Sequence, residues 1–389
     1  MRVAQITTTI TGGAGIAAIR LNEALKSVNV DSEVISNSST SETYLNVASK
    51  STTLFQRTLI QSSDNLLTTL SVNKLKEKDL LSFDILHFHS IYNITNISKI
   101  LELTKKKIVF LTLHDQRMLT GGCHYSGSCT QYLELCGNCP QANRTFWPIV
   151  RREKRKINRL INENNIYIVS PSHWLAEKAN AASNRHGTEK IRVIRNPVSN
   201  MNLNQQKVNR LRFGIDESDL IVGFVSVHLN NPLKGLADVV NAIKTLPKTL
   251  KSRIKLLAVG QGDLSWMPQE IRVIRVVDWK PTEYSIYELM DLLIVPSHQE
   301  NSPNVIGEAL MSGTPVVGSD TGGIAELLRE FNFPVFKCGD IEEIRESMEV
   351  GLKQKRGEVI QIKAKMMFDY QKIGLEMKEF YDFALKNKG

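Results

Sequence analysis

No apolar run in this 389-residue chain approaches the roughly 18 to 20 residues that a membrane-spanning helix needs, so no spanning segment is expected. Nor does an export signal stand at its start: Met1-Arg2-Val3-Ala4-Gln5-Ile6 reads directly as a strand, without a basic, apolar and small-residue succession before it. The expected location is the cytoplasm, with the inner face of the cell membrane open as a peripheral site. Asp-x-Asp pairs are missing altogether. The acidic clamp that holds a divalent ion against a diphosphate is missing with them, and catalysis is expected to need no metal. Cysteine is sparse, with five residues, yet four of them fall between Cys123 and Cys139.

What is present is ordinary for a globular protein: 42 % apolar and 23 % charged residues. The length favours two domains over one. The net charge of +9 is moderate. Its sharpest concentration is Arg151-Arg152-Glu153-Lys154-Arg155-Lys156, between Arg144 and Arg159. This stretch reads either as a solvated helix face or as a surface for anionic lipid headgroups. Nucleic acid is not an expected partner, because no aromatic interleaving accompanies the charge.

Short β-branched runs alternate with longer amphipathic stretches. The first series is Val3 to Thr7, Ser32 to Ser36, Ile85 to His89, Ile108 to Leu113, Ile166 to Ser170 and Arg192 to Ile194. The second is Leu220 to Val227, Ile254 to Val259, Ile271 to Val277, Leu292 to Pro296, Thr314 to Gly318 and Pro334 to Phe336. Near-continuous apolar strands between helical patterns predict parallel sheets covered on both faces. Two such series predict an α/β chain of two doubly wound domains. A polar, strand-poor segment from Ser199 to Asp219 follows Asn196-Pro197 and is the expected linker. The expected division is 1–198, with a Cys-rich insert at 120–140, then 199–369, and a closing helix in 370–389 that packs back on the first domain.

The densest constellation is Glu300-Asn301-Ser302-Pro303-Asn304-Val305-Ile306-Gly307-Glu308 after the strand ending Val295-Pro296-Ser297. Ser302 suits an N-cap and Pro303 the first helical position, predicting a helix to about Gly313. The helix mouth at Asn304 and Val305 would favour a diphosphate. Carboxylates accept two hydrogen bonds at once, so Glu308 suits vicinal ribose hydroxyls and Glu300 a sugar ring. Taken alone, the spacing of the two glutamates reads more readily as a solvated helix face.

With the strand before it and Ser319-Asp320-Thr321-Gly322-Gly323-Ile324-Ala325-Glu326 after it, the constellation resembles the donor-binding region of glycosyltransferase family 4. The resemblance implies a GT-B fold of two Rossmann-like domains facing across a cleft, with retention of anomeric configuration. It also implies transfer of a hexose-type sugar from a UDP- or GDP-sugar to a glycan or lipid-linked glycan, in cell-surface polysaccharide biosynthesis.

Other residues follow the family's order. Gly12, Gly13 and Gly15 join the first strand to a helix and match its glycine-rich loop near the diphosphate. They do not give G-x-G-x-x-G, and a tight turn without ligand is the competing reading. His114 matches a histidine beside the transferred sugar, with Asp115 expected to orient its ring. Lys234 matches a diphosphate-binding lysine, while the family's neighbouring arginine is unfilled, with His228 and Leu229 near its place. Trp279, after the strand Ile271 to Val277, is the candidate for base recognition.

Cys123, Cys129, Cys136 and Cys139, next to Gly121-Gly122 and Gly137, are open to three readings: structural zinc, free or redox-active thiols, and disulfides. Bacterial polysaccharide transferases of the family look similar here.

Overall fold

The computed structural model describes residues 1–36, 45–46, 75–92, 94–183, 189–198, 210–277 and 285–387. The chain divides into two compact units, Met1–Pro197 with Tyr370–Gly389, and Val198–Asp369.

In the first unit, parallel strands β1 (Arg2–Thr7), β2 (Asp31–Ser36), β3 (Leu45–Asn46), β4 (Ile85–Phe88), β5 (Ile108–Thr112), β6 (Ile166–Ser170) and β7 (Ile191–Val193) form one sheet. Its order is β3-β2-β1-β4-β5-β6-β7. The intervening helices include α1 (Gly12–Ser27), α2 (Glu77–Leu80), α3 (Ile97–Leu103), α4 (Trp147–Ile161) and α5 (His173–Ala182). Every residue of β4, β5 and β6 is buried, which is why these strands read as uninterrupted apolar runs.

The second unit repeats the plan with β8 (Leu220–His228), β9 (Ile254–Gln261), β10 (Val273–Val276), β11 (Leu292–Val295), β12 (Val316–Ser319) and β13 (Val335–Phe336). Their order is β10-β9-β8-β11-β12-β13. Its helices are α6 (Leu236–Thr245), α7 (Lys248–Lys251), α8 (Ser285–Glu288), α9 (Asn304–Met311), α10 (Gly322–Glu330), α11 (Ile341–Gly351) and α12 (Glu358–Phe368). In both sheets the chain winds outward one way, returns to the middle, and winds out the other way. The reversal lies between β1 and β4 in one sheet and between β8 and β11 in the other. Loops at the carboxyl ends of those strands diverge there, and open α/β sheets take ligands at such points.

The closing helix α13 (Tyr370–Lys386) belongs to the first unit. Its Ile373, Met377, Phe380, Tyr381 and Ala384 are buried with Val3, Leu25, Phe110 and Tyr167. Phe380 meets both Phe110 and Tyr167 edge to face, at centroid separations of 5.0 and 5.8 Å. Close approach to α1 depends on Gly374, where a Cβ would lie 2.4 Å from the Ala24 carbonyl oxygen. Backbone cannot yield as a side-chain tip can. Gly374→Ala is therefore expected to destabilise the protein by about 1–3 kcal/mol, read as a lower urea midpoint at unchanged m.

Candidate functional site

In the second unit, the loop after β8 and the loop after β11 are tied together at the reversal. Asn231 accepts the Leu233 amide at 3.0 Å and starts a short 3-10 turn, Pro232–Lys234, which ends at Gly235 with φ 75°. A Cβ on Gly235 would stand 2.5 Å from the Pro296 carbonyl oxygen, so only glycine allows both this turn and this approach. The His298 amide donates to the Leu233 carbonyl at 2.8 Å, and His298 Nε2 meets Asp238 Oδ2 at 2.6 Å. Lys234 Nζ consequently reaches Glu300 Oε2, making an ion pair across the switch point. Lys234 is one third exposed and Glu300 is nearly buried.

Glu300 is placed from its other side by Gly322 at the start of α10, where a Cβ would clash with the Glu300 carbonyl. Ser319 and Thr321 hydroxyls both donate to the Ser297 carbonyl at 2.7 Å, holding the same loop to β12.

The helix carrying Glu308 begins one residue later than its sequence predicts. Pro303, not Ser302, occupies the N-cap, with φ −69° and ψ 123° and no side-chain cap, and α9 runs Asn304–Met311. An extended Pro303 is already held at its ring's fixed φ, and its carbonyl accepts the Ile306 amide at 3.1 Å. The first-turn amides at Asn304 and Val305 still point out of the helix end, as those of any helix do. Glu308 is buried, and its Oε2 accepts from the buried Tyr287 hydroxyl at 2.5 Å. Of the two residues near the unfilled arginine position, Leu229 is packed in the core and His228 is exposed. Trp279 lies outside the described residues.

In the first unit, α1 starts at Gly12 with φ 74°. A Cβ on Gly12 or Gly13 would meet nothing within 4 Å, so the space beside their α-carbons is empty. Gly15 differs, since a Cβ there would lie 2.3 Å from the Thr9 carbonyl oxygen. Its smallness serves the loop's own close turn.

His114 follows β5 and is half-buried. Asp115 does not orient it, contrary to expectation. His114 Nε2 meets His89 Nδ1 at 3.0 Å, while Asp115 Oδ2 accepts from His124 Nδ1 at 2.6 Å and Asp115 Oδ1 from the Arg117 amide at 2.8 Å. Burial pushes the Asp115 carboxyl up, but the Arg117 guanidinium and the His124 hydrogen bond outweigh it and hold it well below the usual range. Burial lowers His114 to about 4, against the opposing Asp115 charge. Sequence reasoning missed His89, the residue after β4, as its partner.

The four clustered cysteines are free thiols. Burial, with smaller contributions from the three neighbouring cysteines and against a Thr120 hydrogen bond, pushes Cys123 up to about 12; burial also raises Cys136 and Cys139. Among the described residues, no set of three or more His, Cys, Asp or Glu side chains is arranged to hold a metal ion. Burial of these thiols favours their neutral form over the thiolate. Iodoacetamide near pH 7.5 should label Cys123, Cys136 and Cys139 more slowly in native protein than in urea, as peptide mass spectrometry can show. Equal rates would mean that the folded thiols are ionised.

The basic stretch is not evenly exposed. Arg151, Arg152, Arg155 and Arg159 face solvent, but Glu153 and Lys154 are buried, and Lys154 Nζ donates to the Leu119 carbonyl at 2.7 Å. Burial lowers Lys154 to about 8. Among the described residues no helix is long and apolar enough to cross a membrane.

Comparison with known proteins bears on the second unit above all. Residues 219–353 match the family model described as glycosyl transferases group 1. Over 128 residues the chain is 33 % identical to the D-inositol 3-phosphate glycosyltransferase of Segniliparus rotundus, covering 30 % of this chain and 28 % of that protein. Over 273 residues it is 24 % identical to the putative colanic acid biosynthesis glycosyl transferase WcaC of Escherichia coli, covering 63 % and 62 %. The chain thus spans less than two thirds of the length of these curated relatives.

Solved structures are similar over nearly the whole chain. Sucrose-phosphate synthase from Thermosynechococcus elongatus has a TM-score of 0.66 at 14 % identity, covering 99 % of both chains. Anabaena HepE in complex with UDP and glucose has a TM-score of 0.65 at 16 % identity, covering 98 % of this chain and 99 % of that one. The class defined here is the GT-B fold, two doubly wound α/β units. Within it, the unit that carries Lys234, Glu300 and Glu308 contains the matched glycosyl transferase segment.

Proposed function

We propose that this chain is a retaining glycosyltransferase of family 4, moving a hexose-type sugar from a UDP- or GDP-linked donor to a glycan acceptor in cell-surface polysaccharide biosynthesis. The observation that carries this reading is the Lys234–Glu300 pair across the carboxyl ends of β8 and β11, beside the start of α9. A lysine there answers the charge that develops on a departing diphosphate, and the α9 dipole adds to it. Glu300 positions the donor sugar and Glu308 anchors the ribose. Gly12 and Gly13 leave room for backbone contact with the diphosphate, and His114 touches the transferred sugar.

The bond from the anomeric carbon to the diphosphate oxygen breaks as the acceptor oxygen bonds on the same face. The acceptor proton passes to the departing diphosphate. No protein carboxylate is then required as nucleophile, and no metal is needed for the leaving group.

A lipid-linked acceptor fits the exposed Arg151, Arg152, Arg155 and Arg159 of α4, which suit anionic headgroups at the inner membrane face. Flotation with vesicles containing phosphatidylglycerol should exceed flotation with phosphatidylcholine alone; equal recovery removes the membrane from the proposal.

The function itself is tested with a panel of UDP-, GDP- and ADP-sugars, first by thermal shift and then by release of nucleoside diphosphate. Release that depends on acceptor, with a product of unchanged anomeric configuration, is expected. A requirement for inorganic phosphate would make the protein a phosphorylase. Interconversion of the sugar nucleotide without release would make it an epimerase, and binding without turnover a non-catalytic binder.

A further inference from the structure

A buried chain of polar side chains runs through the first unit to His114. Gln5 of β1 pairs in register with His87 of β4, and Thr112 lies on β5, the next strand. Tyr381 descends from α13. Gln5 Nε2 is 3.1 Å from the Tyr381 hydroxyl and 3.4 Å from Ser32 Oγ, and Gln5 Oε1 is 2.8 Å from His89 Nε2. Tyr381 OH is 2.6 Å from His87 Nδ1, and His87 Nε2 is 2.7 Å from Thr112 Oγ1. Gln5, His87 and Tyr381 have no exposed surface, and His89 is 6 % exposed.

Donor and acceptor rules fix every proton in this chain. The amide nitrogen of Gln5 has two hydrogens and faces two hydroxyls, while its oxygen faces only His89. This orientation satisfies both hydrogens; the reverse one would leave one without an acceptor. Gln5 Oε1 therefore accepts from His89 Nε2–H. A buried imidazole is neutral, so His89 Nδ1 is bare and accepts from His114 Nε2–H. His114 Nδ1 is then bare as well, and among the described residues no donor reaches it. By the same reasoning, the Tyr381 hydroxyl accepts from Gln5 and donates to His87 Nδ1, and His87 Nε2–H donates to Thr112.

We propose that Gln5 and His89 are positioning residues that lock His114 in its Nε2–H tautomer, so that its Nδ1 is offered as a hydrogen-bond acceptor to a sugar hydroxyl. The choice of sugar follows from this. A bare ring nitrogen welcomes a hydroxyl and opposes a carboxylate, so neutral hexoses are selected over uronic acids. This rests on the reading of His114 as a sugar contact, but the tautomer itself does not.

The full chain labelled with 15N-histidine gives the first test, through two-bond proton–nitrogen correlations. His87, His89 and His114 should all carry their proton on Nε2; a proton on Nδ1 of His89 or His114 overturns the relay, whatever the enzyme does. The second test compares UDP-glucose with UDP-glucuronate, and GDP-mannose with GDP-mannuronate. Wild type should prefer the neutral sugar by about 10- to 100-fold in kcat/KM. Gln5→Met should narrow that preference without changing inhibition by the nucleoside diphosphate. Preference for the uronate, or an unchanged ratio in folded Gln5→Met, defeats the proposal. Turnover of neither donor defeats the proposed function and leaves the spectrum to judge the relay.

Discussion

Lys234→Ala is expected to lower kcat about 10²- to 10³-fold, the loss seen when one preorganised charge-stabilising donor is removed from a transition state. Two effects compete at this residue. As an ion pair, Lys234 and Glu300 are partly solvated, and such pairs stabilise a fold by about 1 kcal/mol at most. As the cation beside a departing diphosphate, Lys234 is worth several times more, because the charge it meets grows only as the bond breaks. The functional term should therefore win. Urea midpoints should stay close to wild type while nucleoside diphosphate release nearly stops. If kcat stays within about threefold of wild type in a folded variant, the diphosphate is neutralised elsewhere and the role assigned to Lys234 is wrong.

This expectation gains weight from what surrounds the lysine. The family's arginine position holds no arginine: Leu229 is committed to the core and His228 faces solvent. Lys234 then carries more of the leaving-group charge than it would in a pair. The glycine at 235 and the amide of His298 hold its loop against β11, so its reach to Glu300 is built into the backbone. Such fixing is what makes a charge effective without reorganisation.

The sheets were legible because their strands are buried on both faces, so that Ile108–Thr112 and Ile166–Ser170 stand out as unbroken apolar runs. β3 was not, because two residues at a sheet edge form no pattern. The switch-point residues were legible through their loops: Lys234 before a glycine, and Glu300 before a helix. Lys154 was misread with its charged neighbours. Its position on the stripe Val150, Lys154, Ile157 and Ile161 has the 3.6-residue period of a buried face, and that period outranks the charge. The polar relay shows the opposite limit. His87 and His89 interrupt an apolar strand and so must be paired, a local signal that was available. Tyr381 closes that chain from the far end of the sequence, and nothing local announces it.

The same relay makes the fold sensitive to acid. His87 is fully buried between Tyr381 and Thr112, and burial lowers it to about 3 from an unfolded value near 6.5. Between those limits the unfolded chain holds a proton that the folded chain refuses. Stability from this group is therefore complete above pH 6.5 and is lost as pH falls towards 3. One such group gives a slope of about 1.4 kcal/mol per pH unit, or about 3 kcal/mol between pH 6 and pH 4. His89 and His114 are lowered by the same burial and act in the same direction. Against a total stability of about 5–15 kcal/mol, this is enough to bring the first unit near unfolding at pH 4. Urea titrations from pH 7 to pH 4 should show the midpoint falling steeply. In His87→Phe the absolute midpoint will be lower, because Tyr381 and Thr112 lose a partner, so the slope is the readout. A shallower slope than wild type is expected, and an identical one would mean that His87 takes up its proton inside the folded protein.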